Sequence, residues 1–140
     1  MNVTRKFMDA LDTLERYGEV EYLASLFSEQ CDVGNAVSPN AFIGHAGARE
    51  YWSTYRAWFR DVGSSFHTVI AQDSCSAIEW SSTGTSIRGH VVQYEGVSIL
   101  EFHHDRIQRF RAYFNPEALT RHAASERYAS DCAHWPFCWD

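Results

Sequence analysis

The sequence predicts an α+β fold in which helices pack on one face of a mostly antiparallel sheet. Apolar residues recur at helical spacing through residues 4–59, and β-rich runs separated by polar or glycine-containing turns fill residues 65–114. From Gly96 to Leu119 the chain reads strand, tight turn, strand and helix start. A block of helices followed by a block of strands argues for segregated layers rather than alternating βαβ units.

The first helix is expected over residues 4–17, where Phe7, Leu11 and Leu14 form a stripe and Gly18 stands ready to end it in the left-handed conformation. A second helix follows at once, with Val20, Leu23 and Phe27 carrying the stripe to about Ser28. Residues 31–43, with Gly34, Asn35, Pro39 and Asn40, read as irregular. A third helix over residues 46–59 carries Tyr51, Trp52, Tyr55, Trp58 and Phe59 on two faces, the pattern of a helix buried between the sheet and something else. Strands are expected over residues 65–71, 76–82, 87–94, 97–103 and 106–114. The last two are joined by His104-Asp105 as a tight antiparallel hairpin. Asn115 then stands at an N-cap, Pro116 at the first helical position and Glu117 near the positive end of the helix dipole.

At 140 residues the chain is expected to form one domain, residues 1–140, long enough to bury roughly 70% of its unfolded surface without a metal or disulfide. Residues 125–140 include His134-Trp-Pro-Phe-Cys-Trp139, too aromatic for a solvated end, so this tail is expected to dock on the body or on a second subunit. The 12 basic and 18 acidic residues give a net charge of −6, and the basic ones are scattered, so nucleic acid is not an expected partner. Arg5 and Lys6 lead into an amphipathic run, and no segment approaches the ~18 apolar residues of a bilayer span; a cytoplasmic protein is expected, without a membrane partner. Cys31, Cys75, Cys132 and Cys138 lack C-x-x-C spacing and read as reduced thiols. Cys132, His134 and Cys138 fit no zinc template, so neither metal nor cofactor is expected.

Three stretches carry a family resemblance: Gly44-His-Ala-Gly-Ala-Arg-Glu-Tyr-Trp52, Glu79-Trp-Ser-Ser-Thr-Gly-Thr85, and Gly96 through Leu119. In order and spacing, over about residues 4–120, they resemble the nuclear transport factor 2-like superfamily. Within it the likeness is to SnoaL-like polyketide cyclases, ketosteroid isomerases and limonene epoxide hydrolases. The resemblance implies a cystatin-like α+β barrel, a curved sheet wrapping a helix around a conical, largely apolar cavity. It also implies a small apolar molecule as partner and a homodimer formed through the sheet, with Arg109, Arg111 and Tyr113 on the contact face. Where the family usually turns its last hairpin on Asp-Gly-Lys, this chain has His104-Asp105-Arg106, and an aspartate tolerates that turn.

The family's catalytic positions are altered. Alignment with the ketosteroid isomerase pattern puts Asn35 at the proton-shuttling aspartate, Leu11 at the oxyanion tyrosine and Ser98 at the second oxyanion acid. An amide is no base and a leucine is no donor, so steroid isomerase chemistry is disfavoured. Where related hydrolases and cyclases end this sheet in a working aspartate, the chain has Tyr113-Phe114-Asn115. Asn115 has a sufficient role as N-cap, and a pocket role stays open.

Remaining acid–base candidates are His90, which alternation groups with Arg88 and Val92, and His67, between Phe66 and Thr68. Expected ligand contacts are Asn35, Ser98, Asn115, Leu11, Leu100, Phe102, Phe114, Trp52 and Tyr55. Glu79 is expected to pair with Arg88 across strands, His103 and His104 to be solvated, and His45 to cap the third helix or line the entrance. Two functions follow as expectations. One is a SnoaL-like enzyme acting by proton transfer, cyclisation or isomerisation on an apolar oxygenated substrate; the alternative is a non-catalytic ligand-binding or dimerisation module without the family's acids. An interaction adaptor is a third and lesser option, which needs the aromatic tail exposed.

Overall fold

A computed structural model describes residues 2–38 and 40–116. The helix expected at Asn-Pro-Glu and the aromatic tail lie outside the described residues. The chain runs α1 (Val3–Tyr17), α2 (Glu21–Ser25), β1 (Phe27–Asn35), β2 (Phe42–Ile43), α3 (Gly44–Ala57), β3 (Phe59–Ala71), β4 (Cys75–Ser86), β5 (Val91–His103) and β6 (Arg106–Phe114). The strands form one curved, unclosed sheet in the order β2-β1-β6-β5-β4-β3, antiparallel except where β1 runs parallel to β6. The architecture is α+β. No helix among the described residues is long and apolar enough to cross a membrane.

Local chemistry accounts for α1. Asn2 caps it by accepting from the Arg5 amide at 2.9 Å, and Gly18 ends it at φ 74°, where the left-handed conformation costs a glycine little. Its buried stripe is Val3, Phe7, Ala10, Leu11 and Leu14, continued by Glu15. Tyr51, Trp52 and Tyr55 give α3 its buried face, with Trp52 set edge-on to Phe7, Tyr51, Tyr55 and Phe110. Helix α1 packs against β3, and α3 against β1 and β2.

Several boundaries differ from the sequence reading, each for a tertiary reason. The segment expected to be irregular holds β1 and β2. Its Ser, Gln, Asp, Gly and Asn have little strand preference of their own, and the parallel ladder to β6 supplies the pairing that makes β1 a strand. Helix α2 stops at Ser25, and Phe27, expected on its stripe, is the fully buried first residue of β1. The expected strands 87–94 and 97–103 are one strand, β5, and the break falls earlier, in a turn over Ile87–His90 where Gly89 takes φ 89°. Gly63 does not start β3, which runs through it from Phe59.

Alternation sets which side chains face the helices. On β4 these are Ser76, Ile78, Trp80 and Ser82; on β5, Val92, Tyr94, Ser98 and Leu100. On β6 both Ile107 and Phe110 point inward although three residues apart, because an extra residue shifts the ladder to β5. A similar shift lies between Phe66 and Val69 on β3. The β5–β6 hairpin turns on His104 and Asp105, both at positive φ, as a two-residue turn of the primed kind.

Gly96 lets β5 pass Trp80 and Phe114 closely. A methyl group there would come 2.8 Å from the Trp80 ring and 2.9 Å from the Phe114 β-carbon, and would also press on the Tyr113 carbonyl. Gly96→Ala is therefore expected to lower stability by about 1–3 kcal/mol, the usual cost of overpacking a fitted interior. Thermal unfolding measures this, and an unchanged melting temperature would show that the sheet yields there.

Candidate functional site

A cavity lies between the two long helices and the inner face of the sheet. Its wall is mostly aromatic and aliphatic: Phe7 and Leu11 from α1, Trp52 from α3, Phe66 and Trp80 from β3 and β4. Phe110, Ala112 and Phe114 of β6 close the side facing β1. Phe66, Ser64 and Phe114 are its less buried lining residues, so the opening lies on that side. Phe114 packs on Tyr94 at 5.4 Å and Trp80 at 6.2 Å between ring centres. Counted as room for the centres of water-sized spheres, the volume is ≈ 40 Å³. One water needs ~10–15 Å³ on that measure, so the cavity holds about three such groups and suits a guest of few heavy atoms.

The polar groups in this wall form three clusters. At the end of β1, Asn35 accepts the Val37 and Ser38 amides on its side-chain oxygen, at 2.9 and 3.0 Å, and donates to the Tyr51 hydroxyl at 3.2 Å. Between β4 and β5, the Trp80 indole donates to the Ser98 hydroxyl at 2.9 Å.

The third cluster contains a carboxyl. Glu15 is 4% exposed, and its Oε2 accepts from the Tyr55 hydroxyl at 2.6 Å and from the Ser64 hydroxyl at 2.8 Å. Ser64 and Ser82 are 2.6 Å apart, oxygen to oxygen. Tyr55, Ser64 and Ser82 all line the cavity, so Glu15 stands one hydrogen bond behind its wall. Burial pushes the Glu15 carboxyl above its ordinary range, more than the hydrogen bonds from Tyr55 and Ser64 pull it back. Burial likewise raises Tyr51, Tyr55 and Tyr94, which remain neutral phenols.

The sequence candidates divide. Asn35, Ser98, Leu11, Trp52, Tyr55 and Phe114 line the cavity. Leu100 is fully buried on the same strand face as Ser98 but lies outside the lining, and Phe102 faces a separate surface groove beside Val3 and Thr4. Asn115 is exposed just past β6.

The two histidines do not meet in the cavity. His67 is exposed on β3, bonded through Nε2 to the Ser81 hydroxyl at 2.8 Å, because alternation turns it outward from Phe66. His90 precedes β5 in the turn, its amide on the Ser86 hydroxyl and its carbonyl accepting the Ser86 amide, so the phase linking it to Val92 does not apply. Neither histidine is among the residues lining this cavity. Glu79 faces Val97 across the ladder, while Arg88 lies in the turn, so the expected cross-strand pair is not formed. His45 bonds the Phe27 carbonyl through Nε2 at 2.5 Å. Arg109 and Arg111 lie off the cavity, paired with Glu101 at 3.1 Å and Asp32 at 2.6 Å.

Glu15, Tyr51, Ser64, Trp80, Ser82 and Tyr94 carry the polar groups of the site that sequence reasoning missed. A signal for Glu15 was present: it follows Phe7 and Leu11 at i+8 and i+4, a carboxylate on an apolar stripe.

The family model of the SnoaL-like domain matches residues 4–110. The chain belongs to this family. Its structure is similar to a protein of Rhodopseudomonas palustris described provisionally as an isomerase, with TM-score 0.78, 16% identity, and 88% of this chain and 96% of that one covered. It is also similar to the phenazine biosynthesis-related protein PhzB2 of Pseudomonas aeruginosa (TM-score 0.74, 14% identity, 87% and 85% covered). A third likeness is to an LEH-like epoxide hydrolase of M. tuberculosis (TM-score 0.69, 12% identity, 86% and 88% covered). At these identities the likeness concerns the fold. No curated protein matches the sequence.

The raised carboxyl links folding to pH. Folded Glu15 holds its proton more tightly than the unfolded chain does, so its contribution is full below the ordinary carboxyl range and is lost as pH rises through the raised folded value. Glu15→Gln removes that dependence. From about pH 4 to about pH 8 the melting temperature of the variant is expected to gain on wild type by a few degrees; parallel curves would mean that Glu15 titrates like a solvated carboxyl.

Proposed function

We propose that this protein is a small-molecule enzyme that moves a proton on a small, apolar, oxygen-bearing substrate held in the cavity. Tyr55 gives its hydrogen to the substrate oxygen and takes that of Glu15 in its place, while the proton leaving the carbon beside that oxygen returns to Glu15 through Ser64, so each group ends as it began. The observation carrying this reading is the buried carboxyl one hydrogen bond behind an aromatic cavity wall. A carboxyl pushed upward by burial works as an acid nearer neutral pH than a solvated one, and a low-dielectric wall strengthens its action on a developing oxyanion. The likeness to proteins described as an isomerase and an epoxide hydrolase supports small-molecule chemistry at the coarse level of family. The chain's own acid–base groups differ from the aligned isomerase positions Asn35, Leu11 and Ser98, so the chemistry proposed is this chain's and not steroid isomerisation.

A second reading, a non-catalytic binder of small apolar molecules, is favoured by the two histidines standing away from the cavity. Cyclopentanone in deuterated buffer separates the two. An enzyme is expected to accelerate deuterium entry beside the carbonyl, with Glu15→Gln slowing it by about 10²-fold while the ketone still binds. Binding without acceleration in wild type identifies the binder.

The working unit we propose is a homodimer joined through the outer face of the sheet. Val97 and Tyr113 face each other across β5 and β6, and both are exposed, an apolar pair beside the Arg109–Glu101 ion pair. Sedimentation at micromolar concentration is expected to give twice the chain mass, and a single chain mass rejects the dimer.

A further inference from the structure

We infer that the proton on Glu15 decides which kind of substrate oxygen the cavity takes, a carbonyl when the carboxyl is protonated and a hydroxyl when it is ionised. This deepens the proposed function and rests on its reading of the cavity as the substrate site.

The inference follows from counting hydrogens. An ionised carboxylate only accepts, so Tyr55 and Ser64 must both point their hydrogens at Oε2. Ser64, having given its hydrogen away, then accepts from Ser82 across the 2.6 Å contact. Tyr55, having given its hydrogen to Glu15, can only accept from its hydrogen-bond partner Tyr94, so all four hydroxyls that line this side of the cavity are then committed as donors, and only their lone pairs remain for a guest. Such a wall suits a ligand that brings its own hydrogen, and a carbonyl oxygen meets only acceptors there.

Protonation adds one hydrogen to the cluster. A carboxyl protonated on Oε2 donates to one of the two hydroxyls bonded there, and that partner's hydrogen is released to turn toward the cavity. If Tyr55 is released, a phenol donor faces the guest; if Ser64 is released, the donor passes to Ser64 or, by reversal of the serine pair, to Ser82. Either way the wall gains a donor and a carbonyl is matched.

The groups around Glu15 leave it as the titrating member. Tyr55 faces it from α3, Ser64 from β3, Ser82 lies behind Ser64 on β4, and the Tyr94 phenol of β5 stands next to Tyr55. Both phenols are held neutral by burial, and the serines do not titrate. On its own helix the charged neighbour is Asp12, which is half exposed and paired with Arg16 at 2.9 Å. The negative charge of Asp12 favours the protonated form of Glu15.

Cyclopentanone and cyclopentanol test this, because they share a size and differ in whether the oxygen carries a hydrogen. Binding of each to the purified protein is followed by tryptophan fluorescence from about pH 4 to about pH 8. The ratio of ketone to alcohol affinity is expected to fall about tenfold as pH rises, one hydrogen bond's worth. Glu15→Gln is expected to flatten the ratio, since its amide does not titrate. The wild-type profile decides the matter by itself should the variant fold poorly. A pH-independent ratio with both ligands bound overturns the inference and leaves the cavity reading standing. Failure of both to bind at any pH overturns both.

Discussion

A single buried carboxyl joins the helices and strands that enclose the cavity of this molecule. Glu15 sits on the apolar stripe of α1, yet its oxygen is shared by Tyr55 of α3 and Ser64 of β3, with Ser82 of β4 one hydroxyl further on. A carboxyl taken out of water is costly unless its oxygens are bonded, and each partner here comes from a different element. The position of α1 relative to α3 and the sheet is thereby fixed by polar geometry as well as by apolar packing. The same bonds keep a proton-exchanging group beside a cavity that is otherwise greasy.

That cavity owes its form to aromatic packing on a bent sheet. Trp52 is enclosed edge-on by Phe7, Tyr51, Tyr55 and Phe110, and edge-to-face contacts of this kind fix ring orientation as well as burying area. Extra residues in the ladders of β3 and β6 turn the strands, and Gly96 lets Trp80 and Phe114 meet over the backbone of β5. The residual space is small because the rings fill most of it. A narrow space walled by aromatic rings strengthens the influence of each hydroxyl on its wall, since the rings screen charge less than water does.

Much of the frame was legible in the chain. Helix α1 with Gly18 at its end, the aromatic third helix, the His104-Asp105 hairpin and the shared inward face of Ser98 and Leu100 follow from periodicity and turn chemistry, which are local. Strand β1 was not legible, since its residues favour no strand until β6 offers a parallel edge. The histidines show the limit of alternation as a guide. Phase carried back from Val92 reaches His90 only if the strand does, and the turn at Gly89 ends it one residue short.

The candidate site divides along the same line. The sequence by itself determined the α+β class, the family and an aromatic lining with an amide and a serine at the positions aligned with isomerase acids, because these depend on residue type and order. Only the tertiary structure brought the Glu15 carboxyl behind the cavity wall, because its pairing with Tyr55 and Ser64 spans separations of 40 and 49 residues that no local pattern records. Burial, not position in the chain, is what raises the pKa of an otherwise ordinary helical glutamate.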